Sequence, residues 1–366
     1  MKYRRSKIRK RRKNKKEIIL SKKIIFKKSV KLFILFLFSF INFYYLKNSI
    51  NNINIAISLD NNFIYPGIVF LTSLLDNRAN SSYYTIHLVT NNNTAKEDII
   101  KLNTIVDRFG NNSAKLKYYI LENDFKDVYI CKHFSSANYF RISFPSILTN
   151  VNKIIYYDLD ILNLHDLSEL YNYKLNDKIY FAGVLDDFEL TNELKPYGIY
   201  TNKYINSGVL IINLKAIRKN SIEKKLKDFI STHNLSYVDQ TAINTVCVNN
   251  IQILPYKYNI FDFWSISGLI KINNDQDNIY KVNNSELIQA YNEPTSYHYR
   301  GIPKPWHRGY YRIGAQYWWY YAKMSGFYKE ILDYFKLDNN YIESLLRKIP
   351  ADGGLLKRNF KKFILI

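Results

Sequence analysis

One stretch constrains this chain more than any other: Ile154-Ile155-Tyr156-Tyr157, an apolar run that stops on Asp158-Leu159-Asp160 and resumes as Ile161-Leu162-Asn163-Leu164. Branched and aromatic residues in an unbroken run read as a buried strand, here one that delivers acid to a cleft. Strand side chains alternate between faces, so Asp158 and Asp160 point the same way and can grip one cation together. Carboxylate oxygens suit hard divalent ions such as Mg²⁺ or Mn²⁺, which keep open positions for water and phosphate. A second copy of the pattern, Asp275-Gln276-Asp277, lies in an Asn/Asp-rich stretch with no apolar strand feeding it, and is expected to be a surface turn. A strand-end turn with solvated acids is the competing reading of the first pair.

The flanking segments set the fold class. Residues 53–59 alternate as a strand that ends on Asp60-Asn61-Asn62, and residues 65–75 carry apolar positions at helical spacing. A strand over 84–89, a helix over 95–109 and a strand over 116–121 follow. That rhythm predicts a doubly wound α/β sheet. No Gly-x-Gly-x-x-Gly follows the first strand, so phosphate must be held by something else, and a metal on Asp158 and Asp160 fills the gap.

Residues 136–147 read as a short helix bearing Tyr139 and Arg141, and a strand over 179–185 ends in Asp186-Asp187. Arg141 reads either as a solvated or ion-paired group or as a neighbour of nucleotide or carboxylates, and Asp186 either as a cap or as a site acid. Asn206-Ser207-Gly208 leads into a strand buried on both faces, where the glycine permits close approach of a ligand or a tight turn. Asp239-Gln240 looks like a helix start with an acid favoured by the dipole. In residues 297–306, two prolines and a glycine predict a rigid loop carrying His298, Arg300, Lys304 and Trp306. Such a loop could supply a metal ligand, an uncrowded backbone and a phosphate-neutralising charge at once. Helices over 317–335 and 341–349 would cap the fold.

A formal net charge of +22 invites a nucleic-acid partner, but residues 1–28 hold fifteen Lys/Arg against the single acid Glu17, leaving +8 elsewhere. No readout module accompanies that tail, so nucleic acid is not expected as a partner. The tail runs into an apolar stretch, 30–46, at the short end of what spans a bilayer, with Tyr44 and Tyr45 placed like an interfacial belt. An uncleaved single-pass anchor with a cytosolic basic N-terminus is expected, the alternative being an in-plane helix that leaves the protein peripheral on the cytosolic face. The expected organisation is a basic tail (1–28), a membrane anchor helix (29–46), one α/β domain (51–335) and a helical, basic extension (336–366). The two cysteines, Cys131 and Cys247, allow at most one disulfide and are expected to be buried thiols.

Taken together the segments resemble glycosyltransferase family 8, the group of glycogenin and the lipooligosaccharide galactosyltransferases. The pieces are Ala-Ile-Ser-Leu-Asp-Asn-Asn at 56–62, Asn-Tyr-Phe-Arg at 138–141, Ile-Tyr-Tyr-Asp-Leu-Asp at 155–160, Ile-Asn-Ser-Gly-Val-Leu-Ile-Ile-Asn-Leu at 205–214, Asp-Gln-Thr-Ala-Ile-Asn at 239–244 and His-Tyr-Arg-Gly-Ile-Pro-Lys-Pro-Trp at 298–306. The resemblance implies a GT-A fold, a Rossmann-like mixed sheet flanked by helices, and a retaining, metal-dependent transfer of a hexose from a UDP-sugar to a glycan or lipid-glycan acceptor. By the same resemblance Asp158, Asp160 and His298 would hold Mn²⁺ or Mg²⁺, with Ser58, Asp60 and Asn62 near the uridine. Gly301 and Lys304 would hold the diphosphate, and Arg141, Asp186, Asn206, Asp239 and Gln240 would surround the donor sugar. The family's position for a nucleophilic group is filled by the amide Gln240, which favours front-face attack over a covalent intermediate, with Asp186 or Asp239 positioning the sugar. A sugar-binding protein of the same fold without transfer, and a polybasic membrane adaptor, are the alternatives.

Overall fold

The computed structural model describes residues 51–121, 125, 127–131, 134–186, 188–262, 270–271, 274, 282–312 and 314–348. The basic tail, the apolar stretch 30–46, Asp275-Gln276-Asp277 and residues 349–366 lie outside them. Among the described residues no helix is long and apolar enough to cross a membrane.

The central sheet has seven strands: β1 (Asn51–Ser58), β2 (Ser82–Thr90), β3 (Ala114–Ile120), β4 (Ile154–Tyr157), β6 (Phe181–Leu185), β7 (Ile205–Ile212) and β8 (Ile251–Ile253). Their spatial order is β3-β2-β1-β4-β7-β6-β8. β1 and β4 run parallel, with Ile57 opposite Tyr157, whereas β7 runs antiparallel to both β4 and β6. The strand-helix rhythm thus describes the first half, and the sheet as a whole is mixed.

The apolar runs are unbroken because both faces of the sheet are covered. Ile55, Ile57, Ile155, Tyr157, Val209 and Ile211 enter one hydrophobic cluster, while Ala56, Ile154, Tyr156, Leu210 and Ile212 enter the other. Each fully buried large side chain there contributes about 1.5–3 kcal/mol. Period-two alternation between two cores leaves β4 no Asn, Asp or other strongly polar residue before Asp158, and leaves β1 none between Ile55 and Ile57, its asparagines lying at positions 51, 52 and 54.

A small second sheet carries the rest of the site. β5 (Ile161–Asn163), β9 (Ile260–Phe261) and β10 (Ser296–His298) lie in the order β5-β10-β9, with His298 opposite Ile161 on one side and Phe261 on the other. Tyr297 and His298 are therefore strand residues, and the irregular loop expected over 297–306 begins only at Tyr299. His298 is placed by a ladder, not by proline rigidity.

The helix expected over 317–335 is two, Ala315–Ser325 and Tyr328–Phe335, because Gly326 ends the first at φ +83°, a conformation that favours glycine. In the following helix, Asn339–Lys348, Ile342 and Leu345 are buried in the same cluster as Ile55, Ile57, Ile155 and Tyr157 of β1 and β4. Trp306 meets Trp318 at 5.2 Å, Phe335 at 5.9 Å and the edge of Phe63 at 6.1 Å. This aromatic stack ties the turn after β1 to the loop after β10. Cys247 is buried, and burial pushes its thiol up to about 12, so it is unreactive; Cys131, expected to be buried, is only half-buried.

Candidate active site

The site forms where β1, β4 and β10 end and the antiparallel β7 begins. The backbone N–H of Asp158 donates to Gly208 O at 2.8 Å and that of Tyr299 to Asp160 O at 3.0 Å, so both acids are held between β7 and the end of β10. Asp158, Asp160 and His298 offer ligand atoms that all lie within 4.8 Å of one another. Asp160 Oδ1 is buried, has no hydrogen-bond partner and lies 3.4 Å from His298 Nε2. Its other oxygen accepts from Lys304 Nζ, which also donates to Tyr299 O at 2.7 Å. Burial would raise the Asp160 carboxyl, but the adjacent Lys304 ammonium and His298 outweigh it and hold the group well below the usual carboxylate range. A buried carboxylate oxygen that faces an imidazole nitrogen, with a second carboxylate beside it, is a donor set that fits a hard or borderline divalent cation.

Gly208 explains how the imidazole reaches this position. A Cβ there would stand 2.5 Å from His298 Cε1, 3.0 Å from its Nδ1 and 2.9 Å from Asn206 Oδ1. The glycine sits within β7 and makes room for a side chain of the protein itself, neither closing a turn nor admitting a ligand.

Arg141 is neither solvated nor at the surface: it is 1% exposed and lies 4.2 Å above the Tyr156 ring. Its guanidinium donates to Asn138 O (2.9 Å), Ser207 O (2.6 Å) and Asp158 Oδ1 (2.8 Å), and its Nε lies 3.1 Å from Asp239 Oδ2. One cation thus serves two buried or half-buried carboxylates. Burial pushes Asp239 up to about 7, against the pull of Arg141 and with the help of Asp158. An unfolded aspartate titrates near ~3.9, so the folded state holds a proton that the unfolded state has lost. This contribution to stability is fully present below the unfolded value and fades as pH rises through about 7. Asp239→Asn removes it, so the melting temperature of the variant minus that of wild type should grow from about pH 5 to about pH 8 in metal-free buffer. A constant difference across that window would contradict the assignment.

A polar cluster completes the floor. Asp186 Oδ2 accepts from Asn206 Nδ2 and from Gln240 Nε2, each at 3.0 Å, and Arg300 pairs with Asp186 Oδ1. Gln240 Oε1 accepts from Asn206 Nδ2 at 3.1 Å and from the Ser207 N–H at 3.0 Å, which fixes its orientation. Gly301 has φ +76° and open space on its Cβ side, so its backbone is accessible. Ser58 is buried at the end of β1. Asp60 caps the short turn Asn61–Phe63 by accepting from the Asn62 N–H at 2.9 Å, and the Asn62 side chain is exposed. Arg141, Asp158, Asp160, Asp186, Asn206, Asp239, Gln240, His298 and Lys304 are joined through these contacts, while Asp60 and Asn62 contact one another in the turn after β1.

Sequence reasoning missed Arg300 as a partner of Asp186, and it missed Asn259, which is fully buried between Asn206 and His298. Arg300 had a signal in its place between His298 and Gly301; Asn259, one asparagine among many, had none.

The profile of glycosyl transferase family 8 matches residues 54–309, more than half of the chain and the span that holds every residue above. The chain belongs to that family. Lipopolysaccharide 1,2-glucosyltransferase of Escherichia coli is 25% identical over 321 residues, covering 84% of each chain. A putative glycosyltransferase of Haemophilus influenzae is 26% identical over 233 residues, 54% of this chain and 66% of that protein. Among solved structures, an active-site mutant of LgtC superposes with a TM-score of 0.60 at 20% identity, over 74% of this chain and 96% of its own. The bifunctional glycosyltransferase WbbM gives a TM-score of 0.62 at 18% identity, over 77% of this chain and 51% of its own. Those likenesses establish a GT-A-like mixed α/β fold, and the family makes this glycosyltransferase an enzyme of sugar transfer.

Proposed function

We propose that this glycosyltransferase moves a hexose from a UDP-sugar to a glycan or lipid-glycan acceptor with retention of anomeric configuration, using Mn²⁺ or Mg²⁺ on Asp158, Asp160 and His298. The carrying observation is the buried, unpartnered Asp160 Oδ1 facing His298 Nε2 at 3.4 Å. A bound divalent ion would supply positive charge to the departing diphosphate. Lys304, within reach of the same acids, would release Asp160 and donate to phosphate, and the open backbone at Gly301 would let phosphate approach closely. Gln240 is held by four polar neighbours and, as an amide, is a poor nucleophile, which supports attack by the acceptor from the leaving-group side. Asp186 and Asp239 would orient the donor sugar. Ser58, Asp60 and Asn62 would line the uridine end. The likeness to the Escherichia coli lipopolysaccharide 1,2-glucosyltransferase supports a hexosyl donor and a lipid-linked glycan acceptor.

UDP release from a panel of UDP-sugars by the full chain in detergent, with and without excess EDTA, tests the reading. Release only with added Mn²⁺ or Mg²⁺ is expected. Equal turnover in EDTA would defeat the metal assignment, and no release from any UDP-hexose would defeat the donor assignment.

Gly208→Ala offers a geometric check, because its methyl group needs the space of the His298 ring. Mn²⁺ affinity, read by the EPR signal of free ion, should weaken on the order of tenfold or more with the fold intact by circular dichroism. Unchanged affinity would mean that His298 is not a ligand.

We also propose that residues 30–46 hold the enzyme at a membrane with the basic tail in the cytosol. Protease treatment of sealed vesicles separates the two arrangements: a protected domain supports a spanning anchor, a digested one an in-plane helix. Complete extraction by high salt would refute apolar anchoring of either kind.

A further inference from the structure

Nitrogen and oxygen of a buried amide can be told apart only by their neighbours, and here the neighbours leave one solution. Asn206 Oδ1 lies 2.9 Å from the Gly208 backbone N–H, which can only donate. On its other side Asn206 Nδ2 lies 3.0 Å from Asp186 Oδ2, a carboxylate oxygen that accepts, while Arg300 pairs with the other oxygen, Oδ1. Asn206 is thereby fixed at both ends. Asn259 lies 2.9 Å from Asn206 Oδ1 and must present its NH₂ there. Its own Oδ1 is then turned to His298 Nδ1, 3.1 Å away. An oxygen in that place accepts, so Nδ1 carries a proton and Nε2 is the nitrogen left to face the acids. Nε2 lies 3.4 Å from Asp160 Oδ1.

We propose that Asn259 is a positioning residue that sets the tautomer of His298, and that Asp186, Asn206 and Asn259 form a directional relay from the sugar-side acids to the metal side. The inference rests on the metal reading given above. Asn259 is 0% exposed and its ring-side neighbour Phe261 meets the imidazole edge-on at 5.6 Å, so neither side chain can turn away to water. Free neutral imidazole in water favours the proton on Nε2, the opposite arrangement, so the relay works against the intrinsic preference. Histidine ligands elsewhere are oriented in the same general manner by an acceptor on the far nitrogen, and losing that acceptor weakens metal affinity 10–100-fold as a rule.

The test reads the tautomer directly, by ¹⁵N NMR of histidine-labelled full chain in detergent without metal, with His298→Gln identifying the resonance. Wild type should show a protonated Nδ1 and, in the neutral ring, a bare Nε2. Asn259→Leu removes the acceptor and should move the proton to Nε2 and weaken Mn²⁺ binding tenfold to a hundredfold. Asn259→Asp keeps an acceptor toward His298 and should keep both the tautomer and Mn²⁺ affinity to within a few-fold. A neutral wild-type ring with its proton on Nε2 overturns the proposal whatever the variants do, as does Asn259→Leu with unchanged tautomer. Should Asn259→Leu not fold, the wild-type spectrum and Asn259→Asp decide. If wild type shows the expected tautomer yet binds no Mn²⁺, the metal reading fails and the relay stands.

Discussion

Asp160→Asn should lower sugar transfer at least about a hundredfold, a loss of several kcal/mol of transition-state stabilisation. The structure gives the substitution no harmless orientation. One carboxylate oxygen accepts from Lys304 and the other faces His298, so an amide places its NH₂ either against an ammonium or in the seat of the cation. Asp158→Asn should cost as much in rate and more in stability, since Asp158 Oδ1 also accepts from Arg141 at 2.8 Å and from the Tyr156 hydroxyl at 3.0 Å. Asp275→Asn serves as the control and should leave initial rates unchanged. If the two Asp-x-Asp pairs responded alike, the choice between them would be wrong.

Arg141→Met should destabilise the folded enzyme by about 3–5 kcal/mol, the usual cost of removing one partner from a buried ionic group. Methionine fills much of the same volume over Tyr156 but leaves Asp158 and Asp239 facing each other without the guanidinium, and strands the Asn138 and Ser207 carbonyls. Adding Asp239→Asn to Arg141→Met should restore part of the loss, because the second substitution removes one of the stranded charges. Denaturant unfolding of the two single variants and the double variant measures this. A wild-type midpoint for Arg141→Met would show that the triad contributes nothing to stability.

Much of this arrangement was legible in the sequence where one rule governed the residue. The strand leading to Asp158 could be read because its apolar run is long and both faces are buried, although it ends at Tyr157 and Asp160 lies in the turn before β5, so the two acids are brought together by that turn and not by strand alternation. Lys304 and His298 could be read because a motif kept them in register. Two features resisted. His298 looked like a loop residue because a three-residue strand between β5 and β9 has no periodicity to detect, and its ladder partners lie 137 and 37 residues away in sequence. Arg141 was ambiguous because burial of a cation is decided by partners from other segments, Asp158 and Asp239, which no local pattern announces. Asn259 was invisible for a related reason, since its meaning lies in hydrogen-bond direction and emerges only when four side chains are placed together.

The insertion of β10 between β5 and β9 also sets a timetable. A ribosome adding roughly 5–20 residues per second has completed β4 and its two acids long before Ser296–His298 exists, and β4 still lacks its antiparallel neighbour β7 at that moment. Until β10 is made, β5 and β9 present unpaired edges to one another and the nascent chain owns two thirds of a cation site. Closing that gap joins segments far apart in sequence, a kind of contact that forms late and slowly. On the metal reading proposed above, the third ligand therefore arrives only with residue 298, and a chain interrupted before it would carry both acids without the imidazole.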